Sequence, residues 1–403
     1  MKKSLFALAA VTAFAGAAQA QSSVTVYGIL DVGFQGVTTR GPQSATLTPE
    51  TNTNITRFSG EGAQSTSRLG FRGTEDLGGG TAAFFTAEFG LSPTDSALSG
   101  NNNNGLFNRQ TFVGLSQKGI GRAAIGTQYT PIHMAVGRTD PGQQNNMVGS
   151  VIYTTNASQG NGQTATSYTV RYNQALTLTT DRMAGFQLNA IYNNANSSAN
   201  NSSTATGLTQ ANNEAWGVGA NYVWQKLNVD AAYQTSKNKT FSGGVQTAAG
   251  FPATAAVGVA VPNPLGTSLG MTQMYFGAVY DFGILKAYAG YVNAKYESNV
   301  NSNNYVQRSG QQLGVRGNWT PKIESWASLG NGAISAGSGI GFGAAGNQAQ
   351  ASQNFTAWQL GTNYILSKRT NLYAIYGQTQ VSRSTINVSE GASSYGIGAR
   401  HTF

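Results

Sequence analysis

The chain of 403 residues carries 24 Lys and Arg against 15 Asp and Glu, a formal net charge of +9, yet charged residues make up only 10% of it. A soluble globular protein usually carries about 25% charge, and the absence of cysteine removes disulfide frameworks, thiolate catalysis and cysteine-held metals. With 52 Gly, 18 Tyr and 18 Phe among abundant Asn, Ser, Thr and Gln, the composition suits a β-barrel with lipid outside, aromatic interfaces and water within.

The N-terminus reads as an export signal. Lys2 and Lys3 precede an apolar run from Leu5 to about Ala18, and Ala18-Gln19-Ala20 is a small-residue cleavage site. Residues 1–20 are therefore expected to be removed, leaving 21–403 as a single barrel domain with 22 basic against 15 acidic residues. Past the signal, no run of eighteen or more apolar residues could span a membrane as a helix.

The processed chain alternates instead. From Ser23 to Phe34, Val24, Val26, Leu30, Val32 and Phe34 share one parity while Thr25, Tyr27, Asp31 and Gly33 share the other, the pattern of a strand with lipid on one face and water on the other. Around Ser167–Asn173 the same split assigns Tyr168, Val170 and Tyr172 to lipid and Arg171 to the lumen. Phe186, Leu188, Ala190 and Tyr192 repeat it, as do Trp216, Val218, Ala220, Tyr222 and Trp224, then Leu313, Val315 and Trp319, and finally Tyr395, Ile397, Ala399, His401 and Phe403.

Strands are predicted over 23–34, 65–76, 80–91, 106–117, 121–129, 166–175, 184–195, 213–225, 226–237, 271–282, 284–297, 308–320, 322–330, 353–366, 368–382 and 393–403, sixteen in all. Parity drifts in 106–117 and 368–382, where a bulge is expected. Tight turns at Asp76-Leu77-Gly78-Gly79-Gly80, Asp281-Phe282-Gly283 and Trp319-Thr320-Pro321 alternate with eight long polar links, at 35–64, 92–105, 130–165, 196–212, 238–270, 298–307, 331–352 and 383–392. The fold expected is thus all-β: a 16-stranded antiparallel transmembrane β-barrel, with both termini and the short turns in the periplasm and the long loops outside the cell. About eight strands fill their own interior, whereas sixteen to eighteen leave an aqueous channel. A soluble sandwich or propeller would need an apolar inward face, and here that face is Ser, Thr, Asn, Gln, Arg and Gly.

Catalysis finds little material. The two histidines, His133 and His401, read as solvated or interfacial side chains, no Ser-His-acid set is legible, and neither a cofactor nor a metal site is expected, so the chain does not read as an enzyme. Gly337-Ser338-Gly339-Ile340-Gly341-Phe342-Gly343 lacks the strand-to-helix context of a nucleotide loop and reads as a surface loop. The bases are scattered along an exported chain, so no nucleic-acid partner is implied.

Several blocks resemble the general diffusion porins of Gram-negative bacteria, the trimeric sixteen-stranded kind typical of betaproteobacteria. They are Ser23-Val24-Thr25-Val26-Tyr27-Gly28, the run from Ser67 to Gly78 (SRLGFRGTEDLG), Asn108-Arg109-Gln110-Thr111-Phe112-Val113-Gly114-Leu115, the run from Leu366 to Tyr373 (LSKRTNLY) and Gly398-Ala399-Arg400-His401-Thr402-Phe403. The resemblance covers essentially the whole chain. It implies an outer-membrane homotrimer among lipid and lipopolysaccharide, passing ions and small hydrophilic solutes. It also implies that the terminal Phe403 is the signal read by the outer-membrane assembly machinery, and that the third long link, 130–165, folds into the pore and narrows it to an eyelet.

In such eyelets basic wall residues oppose loop acids. The wall candidates on lumen parity are Arg68, Arg72, Arg171 and Arg316, with Arg109 beside them; Arg68, Arg109 and Arg171 are favoured because their strands flank the third loop. That loop supplies one acid, Asp140, and one base, Arg138. The fifth strand ends Gly126-Thr127-Gln128 where the family often has Gly-Arg-Gln, so one wall charge is missing. Weak anion preference is expected from the net +7 of the processed chain. The alternative is a solute-specific channel, which would carry a lumen run of aromatics that the sequence does not clearly display.

Overall fold

The computed structural model describes residues 23–42, 50–60, 62–96, 98, 105–154, 168–199, 209–242, 245–246, 268–337, 352–382 and 390–403. Residues 1–20, expected from the sequence to be an export signal, and the glycine-rich stretch beyond Gly337 lie outside these residues.

Among the described residues, eighteen strands form one antiparallel sheet that closes on itself. The wall is built by β1 (Ser23–Pro42), β3 (Arg68–Gly78), β4 (Thr81–Gly90), β5 (Phe107–Gln117), β6 (Gly121–Tyr129), β7 (Arg171–Thr180), β8 (Phe186–Ala199), β9 (Thr209–Trp224), β10 (Leu227–Ser242), β12 (Leu269–Asp281), β13 (Leu285–Ser298), β14 (Tyr305–Thr320), β15 (Ile323–Ala336), β16 (Ser352–Ile365), β17 (Thr370–Ser382) and β18 (Glu390–Thr402). These are the sixteen strands read from the sequence. The seam joins β1 to β18, from Ile29 opposite Thr402 to Arg40 opposite Gly391. At the seam's end Gly28 and Phe403 exchange two backbone hydrogen bonds of 3.1 Å. Closure removes the sheet's open edges, the only way a sheet can sit in lipid.

Alternation places the residues as read. Val24, Val113, Leu178, Leu188, Phe276, Leu313, Leu360 and Ile397 are exposed on the outside. Inside, the largest fully buried side chains include Gln234, Gln273, Gln353 and Gln359. The interior is therefore mixed, with buried amides set among apolar clusters such as Ile132, Val136, Ile152 and Tyr275.

Four features depart from the sequence reading. First, β2 (Glu50–Ser59) and β11 (Val245–Gln246) lie within links predicted as loops. β1 is longer than its apolar pattern; its outer half pairs with β2, from Gly33 opposite Ser59, and its inner half with β3, from Ser23 opposite Thr74. Between β2 and β3 the chain leaves the wall and turns inward at Ala63, which is wholly buried. Second, the seventh strand begins at Arg171, not at 166. Tyr168 and Val170, assigned to lipid, are buried with Ile132, Val136 and Ile152. Their alternation is genuine, but protein rather than lipid covers the apolar face. Third, the strand predicted at 322–330 continues to Ala336. Fourth, 131–139 is helical.

Candidate functional site

That helix, α1 (Pro131–Thr139), opens the third long link directly after β6. The Thr130 hydroxyl accepts from the His133 amide and Pro131 occupies the first turn, where its missing N–H costs nothing. Its apolar face, Ile132, Ala135 and Val136, packs on Ile152, Tyr275 and Val292. Tyr275 and Val292 are lumen-facing, since outward Phe276 and Tyr291 neighbour them in sequence. The helix thus lies inside the barrel.

Residues 140–154 then run along the inner wall, tied at each step. Arg138 donates two hydrogen bonds from Nε, at 3.0 and 3.2 Å, to the Asp230 carboxylate, and Thr139 Oγ1 meets Tyr275 Oη at 2.6 Å. Asp140 accepts from Gln312 Nε2 at 3.1 Å and from the Gln144 amide at 2.7 Å. Arg316 donates to the Pro141 carbonyl at 2.8 Å while gripping Glu324 with two further bonds of 2.8 and 2.6 Å. Asn145 pairs with Gln359, Val148 donates to Ser394 Oγ, and Val151 is held from both sides by Gln312 and Arg308. Asn146 reaches the inturned segment, donating to the Gly62 carbonyl at 2.9 Å.

These anchors lie on β10, β12, β14, β16 and β18. The opposite wall, β1 and β3 to β7, presents the arginines. Arg109 Nε donates to Glu88 Oε1 at 2.8 Å, Arg68 stands 3.9 Å from the same oxygen, and Tyr27 Oη donates to Glu88 Oε2 at 3.2 Å. Arg109 also donates to Tyr129 Oη at 2.9 Å. Arg171 lies over the rings of Phe107 and Tyr129, at 5.4 and 5.7 Å from their centroids. Two of these three guanidiniums, Arg68 and Arg109, thus share one carboxylate. Across from them the loop offers His133, its ring tilted against that of Tyr129 at 4.4 Å between centroids, and Tyr153. Burial, reinforced by the nearby charges of Arg171, Arg109 and Arg68, holds the His133 imidazole well below its ordinary pKa.

Of the residues expected at a constriction, Arg68, Arg109 and Arg171 come together. Arg72 is exposed four residues beyond Arg68 toward the turn end of the same strand, its guanidinium 5.3 Å from the Tyr27 ring. Arg316 and Asp140 do not join them: both are buried where the loop meets the far wall, and both are saturated by the bonds that fasten it. Burial pushes the Asp140 carboxyl above the usual carboxylate range. Nor is His133 a solvated loop residue; it lies on a helix in an enclosed aromatic setting. Glu88 was missed, although its parity with inward Thr86, opposite outward Phe85, pointed to it. Phe403 sits half-exposed at the seam, its ring filling the space over Gly28. Among the described residues no group of acidic, His or Cys side chains could hold a metal ion.

A family model described as Gram-negative porin matches residues 7–384. The chain is 30% identical, over the full length of both, to an outer membrane porin protein of Bordetella pertussis. Among solved structures it resembles an anion-selective porin from Comamonas acidovorans, with a TM-score of 0.63 at 21% identity over 95% of this chain and 100% of that one. It also resembles the outer membrane protein OmpT of Vibrio cholerae in its trimer form, with a TM-score of 0.59 at 14% identity over 95% of this chain and 99% of that one. With an apolar, lipid-facing exterior and polar residues on its inner face, the chain belongs to the Gram-negative porins, outer-membrane barrels that serve as water-filled channels for general diffusion.

Proposed function

We propose that the pore is a weakly anion-selective diffusion channel whose constriction is set by Arg68, Arg109 and Arg171. The observation that carries this is the excess of three guanidiniums on one stretch of wall over the single Glu88 carboxylate, which only Arg68 and Arg109 reach. Fixed positive charge in a narrow aqueous passage raises the local anion concentration, and the effect fades as salt shortens the Debye length, about 10 Å at 0.1 M. Arg72 extends the basic track toward the turn end. Arg316 and Asp140 act on selectivity only through the loop they hold. Because the loop meets the arginines with aromatic side chains instead of carboxylates, the transverse field is weaker than one set by opposed charges.

The channel passes ions and small hydrophilic solutes passively and works as a homotrimer in a membrane of lipid and lipopolysaccharide, after cleavage near Ala20 and recognition of the Phe403 end by the assembly machinery. The trimer reading draws support from the trimeric structure the fold resembles. Reversal potential across a planar bilayer in a KCl gradient tests selectivity: the anion-selective sign is expected, and a cation-selective sign rejects the reading. Unchanged selectivity in an Arg68→Ala, Arg171→Ala double variant rejects the site.

A further inference from the structure

Aromatic side chains interleave with the arginines along the same wall. In β5 a register shift next to Arg109 reverses parity, so Phe107 shares the lumen face with Arg109 while Phe112 takes that face beyond the shift. Phe84 and Phe112 lie on the lumen side because Phe85 and Val113 are exposed to the outside. Their rings meet edge to face at 6.3 Å. Relative to Glu88, Phe107 pairs two residues toward the loop end, opposite Gly90, and Phe112 two residues toward the turn end, opposite Thr86. Two residues of strand span about 7 Å. Ring surface therefore flanks the guanidinium cluster on both sides.

The rings are accessible. Phe107 is 43% exposed although it faces the lumen, and Tyr129, Phe84 and Phe112 are partly exposed. Arg171, lying between Phe107 and Tyr129, keeps a buried Nε without a partner, and no described carboxylate pairs with it as Glu88 does with Arg68 and Arg109. A guanidinium with donors to spare, set against two ring faces, suits a ligand that brings a carboxylate and a π-face together.

Building on the anion-selective reading, we propose that this wall binds aromatic carboxylates in transit. The carboxylate rests on Arg171 while its ring stacks on Phe107 or Tyr129, and the ring is then handed past the guanidiniums to Phe112 and Phe84. Aliphatic anions of equal charge engage the arginines alone.

The test compares benzoate with cyclohexanecarboxylate, which has the same charge and nearly the same size but no π-face, as blockers of the chloride current through the full-length protein in planar bilayers. Offset or edge-on ring contacts are worth about a threefold to tenfold preference, so benzoate is expected to half-block at about a threefold to tenfold lower concentration. Tyr129→Phe keeps the preference and Tyr129→Leu reduces it, and a Phe107→Leu, Phe112→Leu double variant brings the ratio close to one. Equal block by the two acids in the unaltered channel, or full preference in the double variant, overturns the proposal. Reversal potential on the same channel separates the two readings: an anion-selective channel without preference fails this one alone, while a cation-selective channel fails the one beneath it.

Discussion

Glu88 Oε1 accepts from Arg109 Nε at 2.8 Å and faces Arg68 at 3.9 Å, so one carboxylate tempers two of the three wall guanidiniums. Glu88→Gln keeps the shape and a hydrogen-bond acceptor for Arg109 but removes the negative charge. A unit charge acting at 5–10 Å through water is worth roughly 0.5 to 1 kcal/mol. The chloride-to-potassium permeability ratio is therefore expected to rise about twofold to fivefold at low salt and less at high salt. Reversal potentials at two ionic strengths measure both; an unchanged ratio removes Glu88 from the constriction.

Much of this wall is legible in the sequence, and the reason is lipid. Leu313, Val315 and Trp319 must alternate with Gln312 and Arg316, because one face meets hydrocarbon and the other water, and that period-two constraint fixes strand count and lumen parity together. Arg68 and Arg171 follow directly from it. Tyr168 and Val170 obey the same alternation but are covered by α1, and covering by protein reads the same as covering by lipid. The shift at Arg109 inserts one residue, which turns Phe107 inward and hides the aromatic run. Arg316 and Asp140 sit on lumen parity and in the loop, as expected, but their capture depends on contacts such as Arg316 with the Pro141 carbonyl, 175 positions away in the chain.

The seat of the loop depends on missing side chains. A Cβ on Gly377 of β17 would strike the Val148 carbonyl, one on Gly314 would meet Pro141 Cγ at 2.5 Å, and one on Gly310 would meet Val151 Cγ1 at 2.5 Å. Gly377→Val should displace the backbone at Val148 and break its bond to Ser394 Oγ while leaving the hydrogen-bonded wall intact. The expected result is a barrel that folds and resists heat nearly as before, but with larger and noisier single-channel conductance. Conductance indistinguishable from the unaltered channel refutes the seating role.

His133 gives the loop a pH dependence. Burial first, then Arg171, Arg109 and Arg68, lower its pKa, so the folded chain keeps it neutral while the unfolded chain takes a proton near pH 6.5. Its stabilising contribution is complete above that pH and declines as pH falls through the window below it, by at most about 1.4 kcal/mol per pH unit. Asp140, shifted upward by burial, acts in the opposite sense, binding its proton more readily in the folded chain as pH falls. Proteolysis of the loop between pH 7 and pH 5 is expected to accelerate toward pH 5 and to lose most of that trend in His133→Phe. An equal trend in the variant assigns the effect elsewhere.

Phe403 has two separable roles. Its backbone closes the seam by exchanging hydrogen bonds with Gly28, and these need no particular side chain. Its ring covers Gly28, where any larger residue would collide with it. Phe403→Ala keeps the backbone pair and loses the ring, at a cost of about 1 to 2 kcal/mol for a half-exposed aromatic. Refolding from denaturant into detergent should therefore proceed close to normally, whereas the amount reaching the outer membrane of living cells should fall severalfold if the exposed ring is what the assembly machinery reads. Equal losses in the two assays would assign Phe403 to seam packing alone.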